Sequence, residues 1–108
     1  MRSQTFHRIV ALVSSGEYVF SRHAHKEATE DGLLAQDLVE GVSSGKVIED
    51  YPDYHAGPCC LVFQLDRCGK PLHALWGLRK GTDEPAVLIT CYRPDPDLWD
   101  ETLRRRKR

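Results

Sequence analysis

Histidine, tyrosine and arginine side chains in this chain are suited to acid–base chemistry. His73 lies in an apolar run, and Thr90 and Tyr92 lie in the next such run along the chain. Histidine suits proton transfer because its unperturbed pKa, about 6.5, lies close to neutrality. Arg79, at the end of the His73 run, could neutralise charge that develops on a reacting phosphate. A second histidine, His23, occurs much earlier and could supply the other half of an acid–base pair.

The relative positions of these side chains depend on how the stretch Cys59–Tyr92 folds. It contains three apolar runs with strand-like alternation, separated by two short segments of turn-forming residues. Residues 68–69, Cys-Gly, predict a two-residue hairpin turn that pairs Arg67 with Lys70. Residues 81–84 predict a four-residue turn before the third strand. The stretch therefore predicts three consecutive antiparallel strands.

Alternation along these strands assigns their side chains to two faces. In the predicted register His73 lies opposite Gln64 on one neighbouring strand and opposite Tyr92 on the other. Leu75 then lies opposite Thr90. The first face is apolar and should be buried under helices; it comprises Leu61, Phe63, Leu65, Leu72, Ala74, Trp76, Leu78, Val87, Ile89 and Cys91. The second face is mixed and should be open; it comprises Val62, Gln64, His73, Leu75, Gly77, Arg79, Leu88, Thr90 and Tyr92.

The first half of the chain predicts mainly helices. The predicted elements are a helix over Ser3–Ser15, an extended piece over Glu17–Phe20, helices over Arg22–Asp31 and Leu34–Ser44, and a strand over Lys46–Asp50. Ser21 suits the N-cap of the second helix, since its hydroxyl can accept from a free backbone N–H. Helices followed by strands predict an α+β fold, with the N-terminal helices packed on one face of a four-stranded, mostly antiparallel sheet. Such a sheet can leave its opposite face open to a ligand.

Composition describes one ordinary domain with a basic end. The 108 residues are 41% hydrophobic and carry a formal net charge of −1, which argues against a dedicated nucleic-acid-binding protein, and no DNA partner is expected. We expect a single α+β domain over residues 1–103. A basic tail over residues 104–108 is expected to be solvated, with contact to RNA as the alternative.

The four cysteines predict neither a disulfide framework nor a metal site. They contain no Cys-x-x-Cys pair, and no histidine follows them at the spacing of a structural zinc site. The chain also lacks a glycine-rich phosphate loop, so no cofactor is expected. The N-terminus has no signal-like apolar run, and no stretch approaches the ~20 apolar residues of a membrane span. We therefore expect a cytoplasmic protein without membrane contact.

Four short segments resemble a known bacterial family. They are Phe20–Ala24, Gly45–Pro52, Pro71–His73 and Thr90–Asp95, and in this order and spacing they are similar to the family called domain of unknown function 4258. The resemblance spans roughly residues 20–99. It implies the small fold of the RelE, barnase and colicin nucleases, which are RNase toxins. It also implies a small zinc-finger antitoxin as partner.

The resemblance implies a metal-independent endoribonuclease that cleaves RNA by acid–base chemistry at the open sheet face. Such cleavage needs a base for the 2′-hydroxyl, an acid for the leaving oxygen and a cation for the phosphorane charge. The candidate catalytic residues are His23, His73, Thr90 and Tyr92, and the candidate phosphate-binding residues are Arg22, Arg79 and Arg93.

The chain departs from the family pattern on the second predicted helix. The family usually has arginine at the positions of Glu27 and Asp31, and carboxylates there cannot hold phosphate. The endoribonuclease hypothesis stays ahead of an alternative that this departure leaves open, a catalytically inactive module of the same fold that binds RNA or a protein at the same face.

Overall fold

The computed structural model describes residues 3–107 and shows an α+β fold, which confirms the predicted class. Within that range the helices are α1 Gln4–Ser14, α2 Arg22–Glu30 and α3 Ala35–Gly41. The strands are β1 Tyr18–Phe20, β2 Lys46–Tyr51, β3 Cys59–Leu65, β4 Pro71–Leu78 and β5 Ala86–Tyr92. They form one mixed sheet in the order β1-β5-β4-β3-β2. None of the helices within these residues is long and apolar enough to span a membrane.

The sheet has five strands, so the prediction of four was wrong. The extended piece at residues 18–20 is a true strand that pairs in parallel with β5. The backbone N–H of Ser21 donates to the carbonyl of Leu88, and that of Ala86 donates to the carbonyl of Glu17. Three residues between two helices carry too little local pattern to reveal a partner nearly 70 residues away along the chain.

Two serine caps begin the first two helices, and the cap at Ser21 is the one that the sequence predicts. The Ser3 hydroxyl accepts from the backbone N–H of Phe6, and the Ser21 hydroxyl accepts from that of Ala24, both at 3.0 Å. Each bond satisfies a backbone donor that has no partner within the helix. Helix α3 is shorter than expected, because a turn after Val42 leads directly into β2.

The register between β4 and β5 agrees with the sequence at one end only. His73 lies opposite Tyr92 and Leu75 lies opposite Thr90, as predicted. The pairing then shifts by one residue, so that Trp76 lies opposite Leu88. This bulge at residue 89 turns Leu88 into the core and Val87 and Ile89 away from it, which corrects the predicted faces of all three.

The register between β3 and β4 differs from the prediction by one residue, and His73 lies opposite Phe63 rather than Gln64. The turn has three residues, 67–69, because the backbone of Asp66 already pairs with that of Lys70. A slip of one residue moves every side chain of β3 to the other face. Val62 and Gln64 therefore face the helices, whereas Leu61, Phe63 and Leu65 face away from them.

The core lies between the three helices and one face of the sheet, with Trp76 fully buried in it. The indole Nε1–H of Trp76 donates to Oε1 of Gln64 at 2.9 Å. The Gln64 amide in turn donates from Nε2 to the carbonyl of Leu38, in α3, at 3.0 Å. One buried amide thus links β4, β3 and α3. Trp76 and Leu78 are buried as the sequence predicts.

Replacing Gln64 tests this register. Gln64→Leu leaves the Trp76 N–H and the Leu38 carbonyl without partners in the core. We expect the free energy of unfolding to fall by about 1–3 kcal/mol, measured by urea denaturation. The control is Leu65→Ala at the neighbouring, half-exposed position, which should change stability by less than about 0.5 kcal/mol. Equal effects of the two substitutions would contradict the assignment of Gln64 to the core face.

Candidate functional site on the outer sheet face

The face of the sheet that points away from the helices is called the outer face here. Strand register places Phe63, His73 and Tyr92 in one row across it. Leu75 and Thr90 belong to the next row, roughly 7 Å further along the strands. The structure therefore brings three predicted site residues, His73, Thr90 and Tyr92, onto one part of one face.

His73 is completely buried, and both of its ring nitrogens have partners. Nε2 lies 2.6 Å from the carbonyl oxygen of Leu103, and Nδ1 lies 3.3 Å from the hydroxyl of Tyr92. A carbonyl can only accept, so Nε2 carries the proton and Nδ1 accepts from the tyrosine. Burial lowers the pKa of His73, and the Leu103 carbonyl offsets this only in part. Burial also raises the pKa of Tyr92.

The C-terminal segment, residues 98–107, covers this row. Trp99 is almost fully buried, and its ring meets that of His73 edge-on, with 4.5 Å between centroids. The segment folds back on itself, because the N–H of Asp100 donates to the carbonyl of Arg105 and the N–H of Lys107 to that of Leu98. The outer face is thus not open at His73. Residues 104–107 belong to this folded segment, although their side chains are exposed.

Two arginines of the C-terminal segment lie over aromatic rings. The Arg104 guanidinium carbon is 4.9 Å from the ring centre of Phe63, and that of Arg106 is 4.7 Å from the ring centre of Trp99. Arg106 also donates two hydrogen bonds to the carboxylate of Glu49, at 2.7 and 3.0 Å. This ion pair lowers the pKa of Glu49.

His23 and Arg22 do not lie near His73. Both are exposed residues of α2, which packs on the core face, so the sheet separates them from the outer face. Nε2 of His23 lies 3.9 Å from Oε1 of Glu27, one turn along the same helix. A site in which His23 and His73 share one substrate is therefore not formed.

The other two predicted phosphate-binding residues also have different positions from those expected. Arg79 follows β4 on the outer face, but six residues of extended chain place it roughly 20 Å from His73. Arg93 donates to the carboxylate of Asp66 at 2.7 Å and to the carbonyl of Pro71 at 2.9 Å, so it ties the end of β5 to the β3–β4 turn.

Sequence reasoning missed Phe63, Trp99, Arg104, Arg106 and Glu49 as members of this site. The wrong register hid Phe63, and the other four join the site through contacts of the C-terminal segment with β2, β3 and β4. The alternation of Arg104 and Arg106 was the one local signal, since alternate residues of an extended chain face the same side. Within residues 3–107, no three His, Cys, Asp or Glu side chains are grouped as metal ligands would be.

The buried histidine predicts how stability depends on pH. Because the pKa of His73 lies below 6.5 in the folded protein, the unfolded chain takes up a proton first as the pH falls. The free energy of unfolding should therefore decrease from pH ~6.5 downward, by at most about 1.4 kcal/mol per pH unit for this group. His73→Gln should flatten that dependence, measured as melting temperature against pH, whereas Leu65→Ala, which removes no titratable group, should not. Identical slopes for wild type and His73→Gln would contradict the assignment.

Comparison with known proteins agrees with the sequence resemblance. A model of the family described as domain of unknown function (DUF4258) matches residues 20–93, from the end of β1 to one residue past β5. The C-terminal segment lies outside the match. No curated protein and no solved structure matches the chain. Because the family model matches more than half of its length, the chain belongs to the DUF4258 family.

Proposed function

We propose that this protein binds single-stranded RNA at the outer face, chiefly through the C-terminal segment. The observation that carries the proposal is the placement of Arg104 over Phe63 and of Arg106 over Trp99. Proteins that bind single strands combine cations that follow the backbone with aromatic rings that stack bases. In this protein, packing against Phe63 and Trp99 positions Arg104 and Arg106 on the outer face.

The distribution of charge supports a polyanionic partner. The last five residues are all Lys or Arg, while the rest of the chain has ten Lys or Arg against sixteen Asp or Glu. Arg104, Arg105, Arg106 and Lys107 are exposed despite their packing contacts. Lys46, on β2, is a further exposed cation. It lies on the same face, because it is paired with Phe63 across the strands. A cationic patch on an otherwise acidic protein attracts RNA to one face and repels it from the others.

The salt dependence of binding tests the proposal. Arg104→Ala/Arg105→Ala should weaken binding of a labelled RNA octamer and reduce the slope of log affinity against log salt concentration by about 1.4, since each lost phosphate contact removes about 0.7. Fluorescence anisotropy at 50–300 mM salt measures both. Arg106 stays in place, so the ion pair with Glu49 is kept. The control is Lys26→Ala/Lys70→Ala, two exposed cations elsewhere on the surface. Equal losses in the two variants, or none, would argue against binding at the C-terminal segment.

A second candidate function is the metal-independent endoribonuclease that the resemblance to RelE- and barnase-like toxins implies. The hydrogen-bonded pair of His73 and Tyr92 favours it, because a neutral imidazole is a competent base once one of its nitrogens is released from its present partner. The Leu103 carbonyl and the Trp99 ring must first leave His73. The small antitoxin implied by the same resemblance stays a prediction.

Loosening the C-terminal segment tests this candidate. Trp99→Ala removes the ring that covers His73 and should increase RNA cleavage that yields 2′,3′-cyclic phosphate ends and continues in the presence of a chelator. Adding His73→Ala to Trp99→Ala should then lower the rate by about 10²–10⁴-fold. Gel analysis of labelled RNA gives the rates, and circular dichroism verifies folding of each variant. If no variant cleaves RNA, or if cleavage is unaffected by His73→Ala, the protein binds RNA without cutting it through His73.

A further inference from the structure

The part of the outer face that the C-terminal segment leaves uncovered contains a groove, called the outer groove here. It consists of two neighbouring cavities of about 540 and 210 Å³ that share Tyr54 and Ile89. Leu75, Val87 and Ile89 form its apolar floor. Tyr51 and Tyr54, which are 42% and 50% exposed, stand at its side. Volumes of this size suit a small ligand or one unit of a polymer.

Two glycines give the groove its shape. Gly77 leaves the middle of the floor without a side chain, and a Cβ atom there would lie 2.8 Å from Cδ1 of Ile89. Gly57 has a φ of +127°, and a Cβ atom there would lie 2.4 Å from the carbonyl oxygen of Leu78. The loop that carries Tyr54 therefore lies directly against the end of β4. Because Gly77 adds no side chain, the middle of the floor has room for a planar ring.

The charged residues that line the groove are all positively charged. Arg79 and Lys80 lie at its end, and no Asp or Glu occurs among the described residues that line either cavity. Both cations are exposed, and neither forms an ion pair within residues 3–107. A ligand that satisfies both parts of the groove is planar and aromatic at one end and anionic at the other.

The outer groove adjoins the C-terminal segment through Glu49. The hydroxyl of Tyr51, at the side of the groove, donates to Oε1 of Glu49 at 2.7 Å, and the same carboxylate pairs with Arg106. Tyr51 and Arg106 thus share one partner. A strand that contacts the arginines of the segment can continue into the groove without leaving the outer face.

We propose that the outer groove binds one unpaired nucleotide of an RNA strand, with its base on the apolar floor beside Tyr54 and its phosphate at Arg79 and Lys80. The inference rests on the proposed RNA binding and adds a specific nucleotide site to it. It also gives Arg79 a role at the groove instead of at His73.

Titration with adenosine monophosphate (AMP), adenosine and inorganic phosphate tests the groove separately from the C-terminal segment, because one nucleotide is too short to contact both. In ¹H–¹⁵N NMR spectra, AMP should shift the amide signals of Gly77, Val87 and Ile89 more strongly than adenosine, and phosphate alone least. Tyr54→Ala should weaken binding of both AMP and the RNA octamer by roughly 5- to 150-fold, the range for loss of one stacked base. Arg79→Ala should weaken AMP more than adenosine and reduce the salt slope for RNA by about 0.7. The matched controls are Leu34→Ala and Lys26→Ala, which are exposed positions on the helix side of the sheet.

The outcomes separate the site from the proposed function. If the octamer binds through the C-terminal segment but Tyr54→Ala and Arg79→Ala bind it like the wild type, the groove inference is overturned and the proposed function stands. If AMP binds in the groove but the octamer does not bind, the groove is a site for a free nucleotide and the proposed function fails. If neither binds, both are wrong.

Discussion

The carboxylate of Asp66 determines how the outer face is composed. It accepts from the backbone N–H groups of Cys68 and Lys70 and from the guanidinium of Arg93. The first two bonds stabilise a three-residue turn and so set the register of β3 against β4. The third holds the end of β5 at the same turn. These partners, the Lys70 N–H foremost, also keep the pKa of Asp66 low. A different turn would exchange Phe63 for Gln64 beside His73, and neither the buried amide link nor the contact of Arg104 with Phe63 would exist.

The sequence predicted those features that depend on local chemistry. The cap at Ser21 was predictable because its hydroxyl accepts a hydrogen bond only three residues away along the chain. The pairing of His73 with Tyr92 was also predicted correctly. The predicted turn before β5 was wrong by one residue, and the bulge at residue 89 compensates for that error. The register of β3 could not be predicted, because Gly69 suits both a two-residue and a three-residue turn. Its φ of +78° is a left-handed value that either turn can use. One glycine therefore left the face of every β3 side chain undecided.

The candidate site was less predictable than the fold. A run of five cations at the end of a chain has the composition of a solvated tail, and nothing local indicates that Trp99 lies on His73 or that Arg106 pairs with Glu49. Both contacts join residues that are more than 20 positions apart. The family match ends at residue 93, before the segment that makes them. The matched residues, 20–93, include His73 and most of the sheet. The residues after the match include Arg104 and Arg106 and also Trp99, which covers His73.

Because Leu103 bonds to His73, the C-terminal segment competes with any external ligand for the part of the outer face around His73. A tethered group of this kind is present at an effective concentration on the order of millimolar or higher, regardless of how dilute the protein is. Any molecule that approaches the histidine binds only the fraction of chains in which the segment has detached, so its apparent dissociation constant is the intrinsic one divided by that fraction. A substitution that loosens the segment would therefore raise affinity for such a molecule without touching a single atom that contacts it.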